Sequence, residues 1–110
     1  MYANVRRYTV ASGGNQKLGG RVEQEFVPII SSLPGFVSYM AIEGQPENGR
    51  DVLITVSVFH TKEGADESVK RAAEWVKGNL PELEPSAPQI TAGEVLVSTA
   101  SGTSRTAYTR

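Results

Sequence analysis

The stretch Asp51–His60 reads DVLITVSVFH. Its even positions are Val52, Ile54, Val56 and Val58, and its odd positions are Leu53, Thr55, Ser57 and Phe59. Such density of β-branched and aromatic residues is strand chemistry. Neither row carries a charge. A strand with one wet face alternates apolar with strongly polar residues, so this strand is expected to be covered on both sides.

The elements around it follow from local signals. Thr61 is placed to cap a helix over about Lys62–Asn79. Glu63, Asp66 and Glu67 favour its N-terminus and Lys77 its C-terminus. Ala65, Val69, Ala72, Ala73, Val76 and Leu80 form the expected core stripe, and Pro81 ends it. On the other side, Gly44–Arg50 has the composition of a hairpin tip, and Phe36–Glu43 reads as the strand before it. Tyr2–Val10 is a further strand, and Asn15 is the expected N-cap of the helix that follows. In that helix Leu18, Val22, Phe26, Ile29, Ile30 and Leu33 recur at three- and four-residue steps. Pro28 predicts a kink or early end near Val27. Gln89–Ser98 is the last strand. Residues 99–110 are rich in Ser, Thr, Ala and Gly and read as a tail outside a core of residues 1–98.

The order is β-α-β-β-α-β, the split-βαβ, ferredoxin-like α+β pattern with four antiparallel strands and two helices on one face. Helices on one face leave the second apolar face of Asp51–His60 without cover. Homodimerisation through that open sheet face, giving an α+β barrel, supplies it.

Composition bounds the chemistry. The 110 residues suffice for one core, burying about 65% of the extended chain's surface. There is no cysteine and one histidine, His60, so thiol catalysis and thiolate metal sites are excluded and no metal centre is expected. A net charge of −1 argues against nucleic acid as a partner. No apolar stretch approaches the roughly 18 residues of a membrane span. The N-terminus lacks a signal-peptide core, so a cytoplasmic location is expected. Gly13-Gly14 and Gly19-Gly20 do not match a phosphate-binding loop.

The segments YANVRRYTV, SSLPGFVSYM, VLITVSVFHTKEGADES, AAEWVKGNL and ITAGEVLV resemble the dimeric α+β barrel superfamily, in particular its antibiotic-biosynthesis-monooxygenase (ABM) type. The resemblance covers residues 2–98. It implies a dimer and admits several activities, among them cofactor-free oxygenation of aromatic polyketides, quinol oxygenation, haem degradation and no catalysis at all. The haem-degrading branch uses an Asn on strand one, a Trp on helix two and a His beyond it. Aligned on the first turn, the Asn position falls on Arg6, with Asn4 one pleat away, and Trp75 matches the Trp. No histidine follows Trp75, which argues against that chemistry. No cofactor is expected.

Asn4, Arg6 and Tyr8 share one face of strand one. If that face lines a barrel interior, an amide, a guanidinium and a phenol meet in one cavity, suited to an anionic or phenolic ligand. Asn4 and Arg6 are the candidate catalytic pair, the alternative being that Arg6 pairs with a carboxylate such as Glu94. Tyr8, Tyr39, Phe59 and Trp75 are the candidate walls for an aromatic small molecule; a tryptophan at the edge of a helix stripe is more often core or interface packing, and either row of strand two can face inward. His60 has the chemistry of a general base, yet alternation sets it opposite Phe59, on the helix side. Two functions follow: a small oxygenase of aromatic or enolic compounds, or a non-catalytic dimeric module binding a small molecule or protein.

Overall fold

The structure, a computed structural model, describes residues 1–101. Residues 102–110, most of the expected tail, lie outside the described residues. Strand β1 (Tyr2–Val10) leads into helix α1 (Gly14–Arg21), a π-helical turn (Val22–Phe26) and helix α2 (Val27–Ser31). Strands β2 (Phe36–Glu47) and β3 (Arg50–Phe59) form a hairpin, followed by helix α3 (Lys62–Asn79), a 3-10 turn (Pro81–Leu83) and strand β4 (Gln89–Glu94). The sheet has the order β2-β3-β1-β4, and each neighbouring pair is antiparallel. This is the ferredoxin-like fold expected from the element order. Among the described residues no helix is long and apolar enough to cross a membrane.

Several boundaries differ from the sequence reading for physical reasons. Asn48 and Gly49 both have positive φ (51° and 77°) and Glu47 pairs with Arg50. That is the two-residue hairpin turn an Asn-Gly pair favours, so both strands run further toward the tip than expected. Strand β4 stops at Glu94 rather than Ser98, because its partner β1 begins at Tyr2, opposite Glu94. The first helix is capped by Gly13 at φ 82°, not by Asn15. Asn15 instead ties the helix to β3: its Nδ2 donates to the Val52 carbonyl at 2.9 Å and its backbone N–H to Asp51 Oδ2 at 3.1 Å. The expected interruption near Pro28 is the π turn just before it. Pro28 then sits in the first turn of α2, where a missing N–H is tolerated.

The helices cover the face that carries Asn4, Arg6, Tyr8 and Val10 of β1 and Thr55, Ser57 and Phe59 of β3, all buried. Leu18, Val22, Phe26, Ile30 and Leu33 from the first helical arm and Ala65, Ala72, Trp75 and Leu80 from the second complete that core. Ser68 and Trp75 are buried on α3 where the sequence stripe placed Ala73, which is exposed. On the opposite face Val56 lies in register between Val5 and Met40, and Ile54 lies beside Ile42. Val5, Met40 and Ile42 are exposed there.

Thr61 caps α3 as its position implies, its Oγ1 accepting from the Gly64 N–H at 3.1 Å. Gly64 is required for a second reason. A Cβ on it would stand 2.8 Å from Phe59 Cδ2 and 3.0 Å from the Pro34 carbonyl oxygen. Ala is normally preferred over Gly inside a helix by about 1 kcal/mol, but overpacking costs about 1–3 kcal/mol. Gly78, also on α3, has nothing within 4 Å of such a Cβ. Gly64→Ala is therefore expected to lower the urea midpoint and Gly78→Ala to raise it; a higher midpoint for Gly64→Ala would show that Phe59 and Pro34 yield.

Candidate active site

Arg6 lies in the middle of β1, the strand between β3 and β4, and is 1% exposed. Its Nε donates to Thr55 Oγ1 at 3.1 Å, its Nη1 to the Ser68 carbonyl at 3.2 Å and its Nη2 to Ser57 Oγ at 3.2 Å. Every acceptor is neutral. No ion pair joins Arg6 to a carboxylate among the described residues. Glu94, the alternative partner, is exposed beside Tyr2 on the edge strand. Withdrawing an ion from water costs several kcal/mol. Three hydrogen bonds and the Phe26 ring, whose centroid is 6.0 Å from Cζ, offset part of that cost. Burial lowers the Arg6 pKa from its ordinary value, while the nearby Tyr8 and Tyr39 phenols oppose the shift. The guanidinium remains a cation at neutral pH, and the bonds to Thr55, Ser57 and Ser68 use three of its five N–H groups.

Asn4 is equally buried but serves α3. Its Nδ2 donates to the Ala65 carbonyl at 3.2 Å and to Ser68 Oγ at 3.1 Å. Ser68 Oγ in turn donates to the Ala65 carbonyl at 2.6 Å. The Asn4 Oδ1 is buried with no partner among the described residues. Asn4 and Arg6 therefore hold the same turn of α3 against β1, one through Ser68 Oγ and the other through its carbonyl.

Beside Arg6 is a small cavity lined by Tyr8, Val10, Leu18, Val22, Phe26, Tyr39, Leu53, Thr55, Ala72, Trp75, Val76, Leu80 and Pro85. Its volume is about 30 Å³, room for a water or two and less than an aromatic ring needs. Phe26, on the π turn, is the hub of its aromatic wall. Its ring meets Tyr39 edge-on at 5.6 Å and Trp75 at 5.5 Å. Burial pushes the Tyr39 phenol up to about 12 and raises that of Tyr8, with Arg6 pulling both back. Both phenols are therefore protonated at neutral pH, where they donate hydrogen bonds rather than accept protons.

The structure thus gathers Arg6, Tyr8, Tyr39 and Trp75 around one cavity. It does not bring Asn4 or Phe59 there: Phe59 is fully buried, packing edge-on against Phe36 at 5.8 Å. The cavity lies between sheet and helices, not on the uncovered face where a barrel interior would be. Strand alternation tells which residues share a face but not which layer covers that face. For the same reason His60 is not on the helix side: Phe59 faces the helices, and His60 is exposed, its N–H donating to the Gly35 carbonyl at 2.8 Å. Thr55, Ser57 and Ser68 were not identified from sequence as functional. The signal for Thr55 and Ser57 was two hydroxyls in one row of an otherwise apolar strand; Ser68, on α3, had none.

No family model and no curated protein matches this sequence. Among solved structures the fold recurs. A variant of MhuD with two manganese protoporphyrin IX groups bound per active site superposes with a TM-score of 0.67 at 15% identity, covering 91% of this chain and 99% of that one. A dimeric ferredoxin-like protein from an uncultured marine organism gives 0.65 at 13% identity, covering 91% and 99%. A variant of SnoaB, a cofactor-independent oxygenase from Streptomyces nogalater, gives 0.63 at 13% identity, covering 88% and 94%. The chain therefore has the fold of the ABM-like, dimeric α+β barrel proteins. A porphyrin does not fit the residues present. His60 lies outside the cavity, and no histidine or methionine lines it.

Proposed function

We propose that this chain binds an enolic or phenolic small molecule through its ionised oxygen on Arg6, the walls of the small Arg6 cavity parting to admit the ring, and that it acts as a cofactor-independent oxygenase. The observation that carries the reading is the buried guanidinium with only neutral partners. Such a group stabilises an anion strongly, because the surroundings that desolvate it also leave the attraction unscreened. Tyr8 and Tyr39 add protonated phenols to the cavity wall, and Trp75 and Phe26 supply aromatic surface. The likeness to SnoaB supports the chemistry without fixing the substrate.

The reaction needs no catalytic base if the substrate is acidic enough to ionise on Arg6. The enolate's carbon forms a bond to dioxygen, which takes the electron pair and becomes a bound peroxide. The peroxide takes up one proton. The O–O bond of this hydroperoxide then breaks: hydroxide leaves from the outer oxygen, the second hydrogen of that carbon leaves as a proton, the two make one water, and a carbonyl remains. Binding without catalysis is favoured by one observation: among the described residues no histidine or carboxylate lines the Arg6 cavity to take a proton. The two readings separate on dioxygen uptake with anthrone- and quinol-like compounds. Arg6→Met is the suitable variant, because it nearly fills the side chain's volume; Arg6→Ala would leave a hole in the core. The expected result is uptake with at least one compound, reduced about a hundredfold or more in Arg6→Met, as for loss of a preorganised charge contact. Equal uptake by wild type and variant would remove Arg6 from the mechanism, and binding without uptake would favour the non-catalytic reading.

The working unit is proposed to be a homodimer packed through the uncovered sheet face. The exposed Val5, Met40 and Ile42 around Val56 support it, since contiguous apolar surface of this kind marks an interface. The likeness to a dimeric ferredoxin-like protein supports it too. Val56→Lys is expected to give the monomer mass in sedimentation equilibrium at micromolar concentration, with the wild type giving twice that mass. A wild-type monomer would overturn the dimer.

A further inference from the structure

The Arg6 cavity has a neighbour. A cleft of about 200 Å³ lies between α1 and β2, lined by Asn15, Gln16, Gly19, Ala41, Ile42 and Glu43 together with Leu18, Val22 and Leu53. The last three side chains also line the Arg6 cavity. They are the partition between the two spaces. Asn15 and Glu43 in turn border an outer hollow that reaches Asp51.

The two ends of this tract are chemically opposite. At one end Arg6 only donates hydrogen bonds. At the other, the Glu43 and Asp51 carboxylates accept them, and Asn15 Oδ1 beside them is buried with no partner among the described residues. Asn15 has already committed its Nδ2 to the Val52 carbonyl and to Glu43 Oε2 at 2.9 and 3.3 Å. The strand register sets the span. Arg6, Thr55 and Ala41 are direct partners across β1, β3 and β2, so Arg6 and Ala41 are two strand spacings apart, about 10 Å.

We propose that the cleft between α1 and β2 is the second half of the binding site. The ligand lays its acidic oxygen on Arg6 and its apolar body past Leu18, Val22 and Leu53. Its far end, bearing hydroxyl or amino donors, reaches Asn15 and Glu43. The inference rests on the reading of Arg6 as the anion anchor. Two features let the partition yield. Leu53 is only half-buried, and Val22 opens the π turn, a helical irregularity common at functional sites.

Calorimetric titration with phenol, 2-naphthol and 2,6-dihydroxynaphthalene tests it. In the wild type the second hydroxyl is expected to tighten binding about tenfold over 2-naphthol, as for one hydrogen bond to a charged acceptor. Glu43→Leu is expected to erase that gain. Ala41→Phe, an exposed substitution that fills the cleft, is expected to lower the ratio of 2-naphthol to phenol affinity about tenfold. An unchanged ratio in Ala41→Phe, or an undiminished gain in Glu43→Leu, would overturn the cleft. If phenol binding still falls in Arg6→Met, the anchor survives that result. If all three compounds bind Arg6→Met as they bind the wild type, the anchor fails, and the inference with it.

Discussion

A guanidinium with no carboxylate beside it, closed between a sheet and a helix, is the constraint around which this fold is arranged. Placing Arg6 there costs several kcal/mol of hydration, and the neighbouring residues follow from limiting that cost. Thr55 and Ser57 bring hydroxyls up from β3 in register with β1. Helix α3 contributes the Ser68 carbonyl, and small residues at Ala65, Ser68 and Ala72 let it lie close enough to do so. The π turn carries Phe26 to the guanidinium's flank. Asn4 fastens the same turn of α3 one pleat away. A purely structural role would be served as well by an apolar side chain of similar size, which often stabilises a core relative to a buried charge.

That arrangement defines what the cavity does electrostatically. A positive charge of low solvation faces aromatic walls and two phenols that burial keeps protonated. Each of these groups favours negative charge on a ligand oxygen, and none competes for it. The chemistry that such a site performs unaided is ionisation of a weak acid. In the proposed function, oxygenation follows from the reactivity of that anion with dioxygen.

The fold was legible in the sequence because its signals are local. The order of the six elements, the Thr61 cap and the two uncharged rows of Asp51–His60 each depend on a few neighbouring residues. Arg6, Tyr8, Tyr39 and Trp75 were legible as types suited to one chemistry. What escaped is relational. The layer covering the Arg6 face, the place of Phe59 away from the cavity and the helix-side position wrongly given to His60 all depend on how the helices dock on the sheet. Asn15 looked like a cap because its type fits one; it bonds across to β3 instead, and Gly13 takes the cap by its positive φ. The Asn48-Gly49 turn was a readable signal that composition alone blurred into a longer loop.

The central claim is that the Arg6 cavity prefers the anion to the neutral acid, and the ionisation of a bound indicator phenol measures it most directly. The absorbance of 4-nitrophenol, titrated with pH in the presence of excess protein, reports the pKa of the bound form. The account predicts a pKa at least about one unit below that of the free phenol, since an opposite charge at contact shifts an acid by roughly 1–3 units, with the shift lost in Arg6→Met. A bound pKa equal to or above the free value, or the same depression in Arg6→Met, would contradict it.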